Sequence, residues 1–133
     1  MIYCLDTNIC IYALKGQFEG LRHKLKEHIP AEIKIPSLVR AELLCGAKKS
    51  NSPQKSLEVI ERFLFPFDIF DFDKSASEVY AEIRYETEKN GTSVGPNDLI
   101  IAATAISHHA ILVTHNVKEF SHINLLKLED WAA

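Results

Sequence analysis

Short apolar segments alternate with helical stretches along the whole chain, and this alternation restricts the fold more than any other feature of the sequence. Residues 2–5, 33–35, 67–70, 111–114 and 125–128 read as strands of the length a buried sheet uses. Helical signals fill the intervals. One helix runs from Thr7 to about Lys15 and is closed by Gly16, and Phe18, Leu21, Leu25 and Ile29 recur at the spacing of a second. Ser37, as N-cap, opens a helix to about Lys48, and Ser52-Pro53 opens another through Leu64. Ala76, Val79, Tyr80 and Ile83 form the stripe of a helix ending near Asn90-Gly91. Asn97-Asp98 starts a last long helix, through His108, that is apolar on all sides for nearly three turns. Strands joined through helices need right-handed crossovers, which predicts an α/β fold: a central parallel β-sheet with helices on both faces. Ligands of such sheets sit beyond the carboxyl ends of the strands, so the residues that follow each strand are the first candidates for chemistry.

A chain of 133 residues with 47% hydrophobic and 25% charged residues suits one soluble domain spanning 1–133, with no repeat or low-complexity tract. No apolar stretch has the length of a membrane span, and the start, MIYCLDTN, lacks the basic lead-in of a signal peptide. The three cysteines, Cys4, Cys10 and Cys45, form no CxxC pair and read as small buried thiols in a reducing cytoplasm. The net charge of −3 argues mildly against a partner rich in phosphate. A site that gathers carboxylates would itself pull the sum down. Arg22, His23, Lys24 and Lys26 form one local basic patch and Lys48, Lys49 and Lys55 another, each equally readable as a solvated helix face.

Asp6 follows the first strand, where it either caps the next helix or faces a ligand. Glu42 lies in SLVRAELLCGAKK beside Leu38, Cys45 and Gly46, a setting that asks for an ion pair or a ligating role. Asp98 leads the apolar helix, behind the tight Gly95-Pro96 approach, and it too reads as a cap or a ligand. Asn116 and Glu119 follow the strand ILVT; singly, they are a turn residue and a solvated acid. Together these residues converge on one end of the sheet. Carboxylates brought close repel and hold protons unless a cation neutralises them. A hard divalent ion such as Mg²⁺ takes oxygen ligands, orients a bound water and stabilises charge on a phosphoryl group. The six histidines offer no HxH or HxxxH pair, which disfavours zinc.

The segments MIYCLDTNICIYALKG, SLVRAELLCGAKKS, GPNDLIIAATA, ILVTHNVKEF and LEDW, in this order, resemble the successive motifs of the VapC toxins, which are PIN-domain ribonucleases. The resemblance implies an acidic site for Mg²⁺ or Mn²⁺, with catalytic positions at Asp6, Glu42, Asp98 and Asn116 and metal ligation by Asp6, Asp98, Glu42 and Glu119. Where many PIN domains carry a fourth acid, this chain has Asn116, so either its neutral oxygen serves or Glu119 supplies the carboxylate from a turn later. Thr7 and Thr114 match hydroxyl positions that flank the site as supporting donors. The resemblance further implies RNA hydrolysis leaving a 5′-phosphate, a homodimer, and a VapB-like antitoxin. LDTNI, VGPND and VTHN are similar to the enteric group that cuts initiator tRNA in the anticodon stem-loop. Leu14, Phe18, Leu21 and Leu25 are expected to form the apolar groove for the antitoxin. The rival readings are a non-catalytic binding module, a nuclease for other RNA or DNA, and a receiver-like phosphatase. The last is disfavoured because Asp6 stands alone and no Lys directly follows ILVT.

Overall fold

The computed structural model describes residues 1–133. Five strands form one sheet: β1 (Tyr3–Leu5), β2 (Ile33–Pro36), β3 (Asp68–Phe70), β4 (Ile111–Val113) and β5 (Leu128–Glu129). Their order is β3-β2-β1-β4-β5 and every pair is parallel. Seven α-helices lie between them: α1 (Thr7–Lys15), α2 (Glu19–Glu27), α3 (Ser37–Lys49), α4 (Pro53–Leu64), α5 (Lys74–Lys89), α6 (Pro96–Ser107) and α7 (Val117–Phe120).

The chain steps outward from β1 to β3, then returns across the sheet to β4. Right-handed crossovers in opposite directions cover opposite faces. The winding therefore reverses between β1 and β4, and a crevice opens at that point beyond their carboxyl ends. The register Leu5↔Val113 brings those two ends level, so the residues that follow, Asp6 and Thr114, stand side by side. Both strands are buried along their whole length, because helices leave neither face to water. Each leucine sealed there, Leu5 and Leu112, contributes about 2 kcal/mol of transfer free energy.

α6 is the most deeply buried helix. Leu99, Ile101, Ala102, Ala103, Thr104 and Ala105 are all out of solvent. Its alanines let it lie close against α5 and the sheet, and the Thr104 hydroxyl is satisfied by the Ile100 carbonyl at 2.8 Å. Pro96 occupies the first turn, where its missing N–H costs nothing. At the other end of the chain, Trp131 closes the core, tilted against Tyr3 and stacked on His28 at 4.9 Å.

Several boundaries differ from expectation. Ser37 does not cap α3; Pro36 precedes the helix, and the Ser37 hydroxyl instead accepts from the Phe72 N–H. Neither Asn97 nor Asp98 caps α6, whose N-cap is Gly95. The last strand lies later than residues 125–128, leaving Leu125 exposed. Cys4 and Cys10 are buried, and burial pushes the Cys4 thiol up to about 12, but Cys45 is exposed. The core-facing stripe of α3 is Val39, Leu43 and Ala47, and position 45 falls on the outer side.

Candidate functional site

Asp6 has the extended backbone of an N-cap, and its Oδ1 accepts from the Ile9 N–H at 2.9 Å. The residue is only 5% exposed. Burial raises its carboxyl above the usual range; hydrogen bonds from Thr114 and Ile9 oppose this, and the charges of Glu42 and Asp130 add to it. Capping and facing the crevice are therefore compatible roles for one carboxylate.

Thr114, fully buried at the end of β4, links two parts of the site. Its hydroxyl serves Asp6, and its oxygen accepts from the Asn116 N–H at 3.0 Å. Thr7 plays the matching part at the start of α1, donating its hydroxyl to Glu42 Oε1. The other Glu42 oxygen accepts from the Asn97 amide at 3.4 Å. Thr7 and Thr114 thus sit directly behind two of the acids.

Asp98 and Glu119 meet across the crevice. Burial pushes the Asp98 carboxyl up to about 7, helped by its hydrogen bond to Glu119 and by the charges of Glu119, Asp6 and Glu42. Glu119 moves the other way. The Gly95 N–H at 3.1 Å lowers its carboxyl below the usual range, and the Asn116 amide at 2.9 Å and Asp98 add to this. The two carboxyls therefore titrate in opposite directions. Glu119 reaches Asp98 because α7 turns back over the sheet edge, and Asn116 supports it from behind. The helical turn between Asn116 and Glu119 brings the acid into the site.

Asp6, Glu42, Asp98 and Glu119 supply only oxygen donors, and burial first, then the acidic neighbours, raise the Asp98 carboxyl. That chemistry fits a hard divalent cation. No three His, Cys, Asp or Glu side chains are closed into a finished metal-binding set. Donors of the protein hold Asp6, Glu42 and Glu119 in place, and Asp98 faces Glu119.

Sequence reasoning missed Asp130. Its charge bears on Asp6, and it pairs with His115, Nδ1 to Oδ2, at 3.0 Å. Its place immediately after β5, at the same sheet edge, was the available signal. Gly95 serves the site through its backbone, whose N–H donates to Glu119 Oε1 at 3.1 Å; a Cβ there would meet Glu119 Oε1 and Asp98 Oδ2 only at ordinary contact distances of 3.8 and 3.9 Å.

The expected apolar groove is not assembled as proposed. Leu21 is completely buried, because it is the residue by which α2 anchors to the core. Leu14 and Leu25 are half-buried and line separate clefts. Leu14 shares one of about 200 Å³ with Ile11, Leu43, Ile60 and Glu42; Leu25 shares one of about 220 Å³ with Arg22, Lys26 and Phe63. Phe18 is 41% exposed.

The PIN domain family model matches residues 3–125. Ribonuclease VapC2 of Rickettsia felis is 41% identical over 132 residues, covering 98% of both chains. The tRNA(fMet)-specific endonuclease VapC of Shigella flexneri is 38% identical over 130 residues, again covering 98% of both. Among solved structures, VapBC2 from Rickettsia felis bound to a DNA fragment from their promoter superposes with a TM-score of 0.92 at 39% identity, covering 98% of this chain and 99% of that one. DNA-bound VapBC from Salmonella typhimurium gives 0.93 at 36% identity and 98% coverage of each.

Proposed function

We propose, from the premise that this chain belongs to the PIN-domain family and to its VapC ribonuclease branch, that it is the toxin of a VapBC-type pair and hydrolyses RNA with Mg²⁺ or Mn²⁺ at the acids of the sheet's carboxyl edge. One observation carries this reading: the carboxyls of Asp98 and Glu119 come together beside Gly95, within the field of Asp6 and Glu42, at the point where the sheet reverses its winding.

Asp6, Asp98 and Glu119 would hold the cation, with Glu42 beside them. When bound, the cation supplies Lewis acidity toward the phosphoryl oxygens and lowers the pKa of a water. The chain's own residues supply the positioning. Thr114 fixes Asp6, and Thr7 and Asn97 fix Glu42. The Gly95 N–H and the Asn116 amide keep Glu119 ionised and aimed at Asp98.

The substrate we favour is initiator tRNA, cut in the anticodon stem-loop. The names of two relatives, at 38% and 36% identity over nearly their whole length, support it. Such a substrate places the work in the cytoplasm, and no helix is long and apolar enough to cross a membrane. The partner is a VapB-type antitoxin, whose apolar segment would enter the cleft of Ile11, Leu14 and Leu43 while a cationic side chain approaches the acids beyond Glu42. A homodimer is the expected assembly. The test is to incubate purified protein with initiator tRNA, other tRNAs and single-stranded DNA, with and without Mg²⁺, and to map the ends. Metal-dependent cuts confined to the anticodon stem-loop support the reading. Equal cutting of all RNA, or of DNA, replaces the substrate, and no metal-dependent cutting by the wild type overturns the function.

A further inference from the structure

The proposed chemistry leaves a problem of recognition. The centre of the site is acidic, the chain carries a net charge of −3, and the substrate is a polyanion. Phosphate contacts alone would bind it weakly. A contact that needs no charge must then contribute, and stacking on aromatic rings is the one that every nucleobase offers.

Three rings stand together at the rim of the acids. His115 lies between Thr114, which holds Asp6, and Asn116, which holds Glu119. Its side chain is 41% exposed, and Asp130 orients it through Nδ1; Asp130 is itself fixed by the Ala132 N–H at 2.9 Å. Phe18 packs tilted against His115 with centroids 5.2 Å apart, and Tyr12 meets Phe18 edge-on at 4.9 Å. Phe18 holds this place at a cost. Its φ of 60° lies in the region that favours glycine, yet the ring remains 41% exposed. Backbone strain that leaves a large aromatic ring half in water adds little to the core, and such strain concentrates where ligands are held. Beside this turn, Arg22 and Lys26 line a cleft of about 220 Å³ with Gly16 and Gln17, giving a cationic flank for the backbone of a bound strand.

We infer that His115, backed by Phe18 and Tyr12, is a stacking platform for one unpaired nucleobase of the RNA next to the bond that is cut. This rests on the nuclease reading for the meaning of the neighbouring acids. The assay separates the two, because it reads binding apart from cleavage.

The probe is a single-stranded RNA oligonucleotide with one 2-aminopurine, a base whose fluorescence is quenched on stacking, titrated with protein in EDTA. Wild-type protein should quench it. His115→Ala should weaken binding about tenfold and raise KM rather than lower kcat, and His115→Phe should restore both. Replacing the 2-aminopurine by an abasic site should bring wild type and His115→Ala to equal affinity. Retained quenching in His115→Ala, failure of His115→Phe to restore it, or a defect that persists on the abasic strand would each overturn the platform. So would substitutions that weaken only the protein partner. Cleavage by the wild type without quenching would refute the platform and leave the nuclease; quenching through His115 without cleavage would do the reverse.

Discussion

The side-chain amide of Asn116 donates to Glu119 Oε2 at 2.9 Å, so the neutral residue at the end of β4 holds the acid that follows it one turn later. We propose on this geometry that Glu119 is the fourth carboxylate and Asn116 its support. Glu119→Gln should lower kcat about 10²-fold, the scale of a lost charge-stabilising group. Asn116→Ala should cost about tenfold. Rates for both variants across a range of Mg²⁺ concentrations check the order, and a larger loss for Asn116→Ala would return the ligand role to Asn116.

Asp6→Asn should abolish cleavage while leaving the protein as stable as the wild type. Asn caps a helix as well as Asp does, so the bond from the Ile9 N–H survives and only the charge is lost. Asp6→Ala should be inactive too, and lose about 1 kcal/mol with the cap. Thermal melts alongside the activity assay separate the two effects.

Metal-free protein should lose stability as pH rises from about 4, the ordinary value for Asp, to about 7, where burial and its acidic neighbours place Asp98. In that window the fold holds a proton on Asp98 that the unfolded chain has released, so raising the pH favours unfolding. Glu119 has the opposite sign: its depressed carboxyl contributes stability above its ordinary value that is lost on acidification. Its window lies below that of Asp98. Solvent screening at this half-buried group limits the Asp98 effect to about 1 kcal/mol. Asp98→Asn should therefore raise the melting midpoint at pH 8 by about 4 °C. Mg²⁺ should raise the midpoint of the wild type and not of the variant, and equal shifts in both would exclude Asp98 as a ligand.

Leu21→Ala should cost about 3 kcal/mol of stability, because the side chain is completely buried. Leu14→Asp, in the cleft that reaches Glu42, should leave the fold intact and weaken antitoxin binding at least about tenfold. Chemical unfolding of both variants and titration with the partner test this pair. Full antitoxin affinity in Leu14→Asp would move the interface elsewhere.

The strands and the long helices were legible because burial imposes a period on the sequence. The all-apolar run after Asp98 could only be an interior helix, and α6 is one. Asp6 and Asp98 were legible as candidates because the carboxyl edge of a parallel sheet is a known place for ligands. What stayed hidden depended on side-chain direction. Leu21 and Leu25 share a helical stripe, but the twist between α2 and the sheet buries one and leaves the other half in solvent. Glu119 looked displaced because its distance along the chain says nothing of the angle at which α7 returns. Asp130 was overlooked because β5 is only two residues long and carries little pattern of its own.

Asp6 lies in the first turn of sequence, Glu42 and Asp98 in two separate crossovers, and Glu119 close to the end of a chain of 133 residues. No contiguous fragment short of nearly the whole polypeptide contains all four. A growing chain that has not yet reached Glu119 therefore lacks one of the four acids, however much of the sheet has already formed. The complete acidic set exists only once α7 has packed beside strands that were made much earlier, so closing the site is a long-range event of folding rather than a property of any one segment.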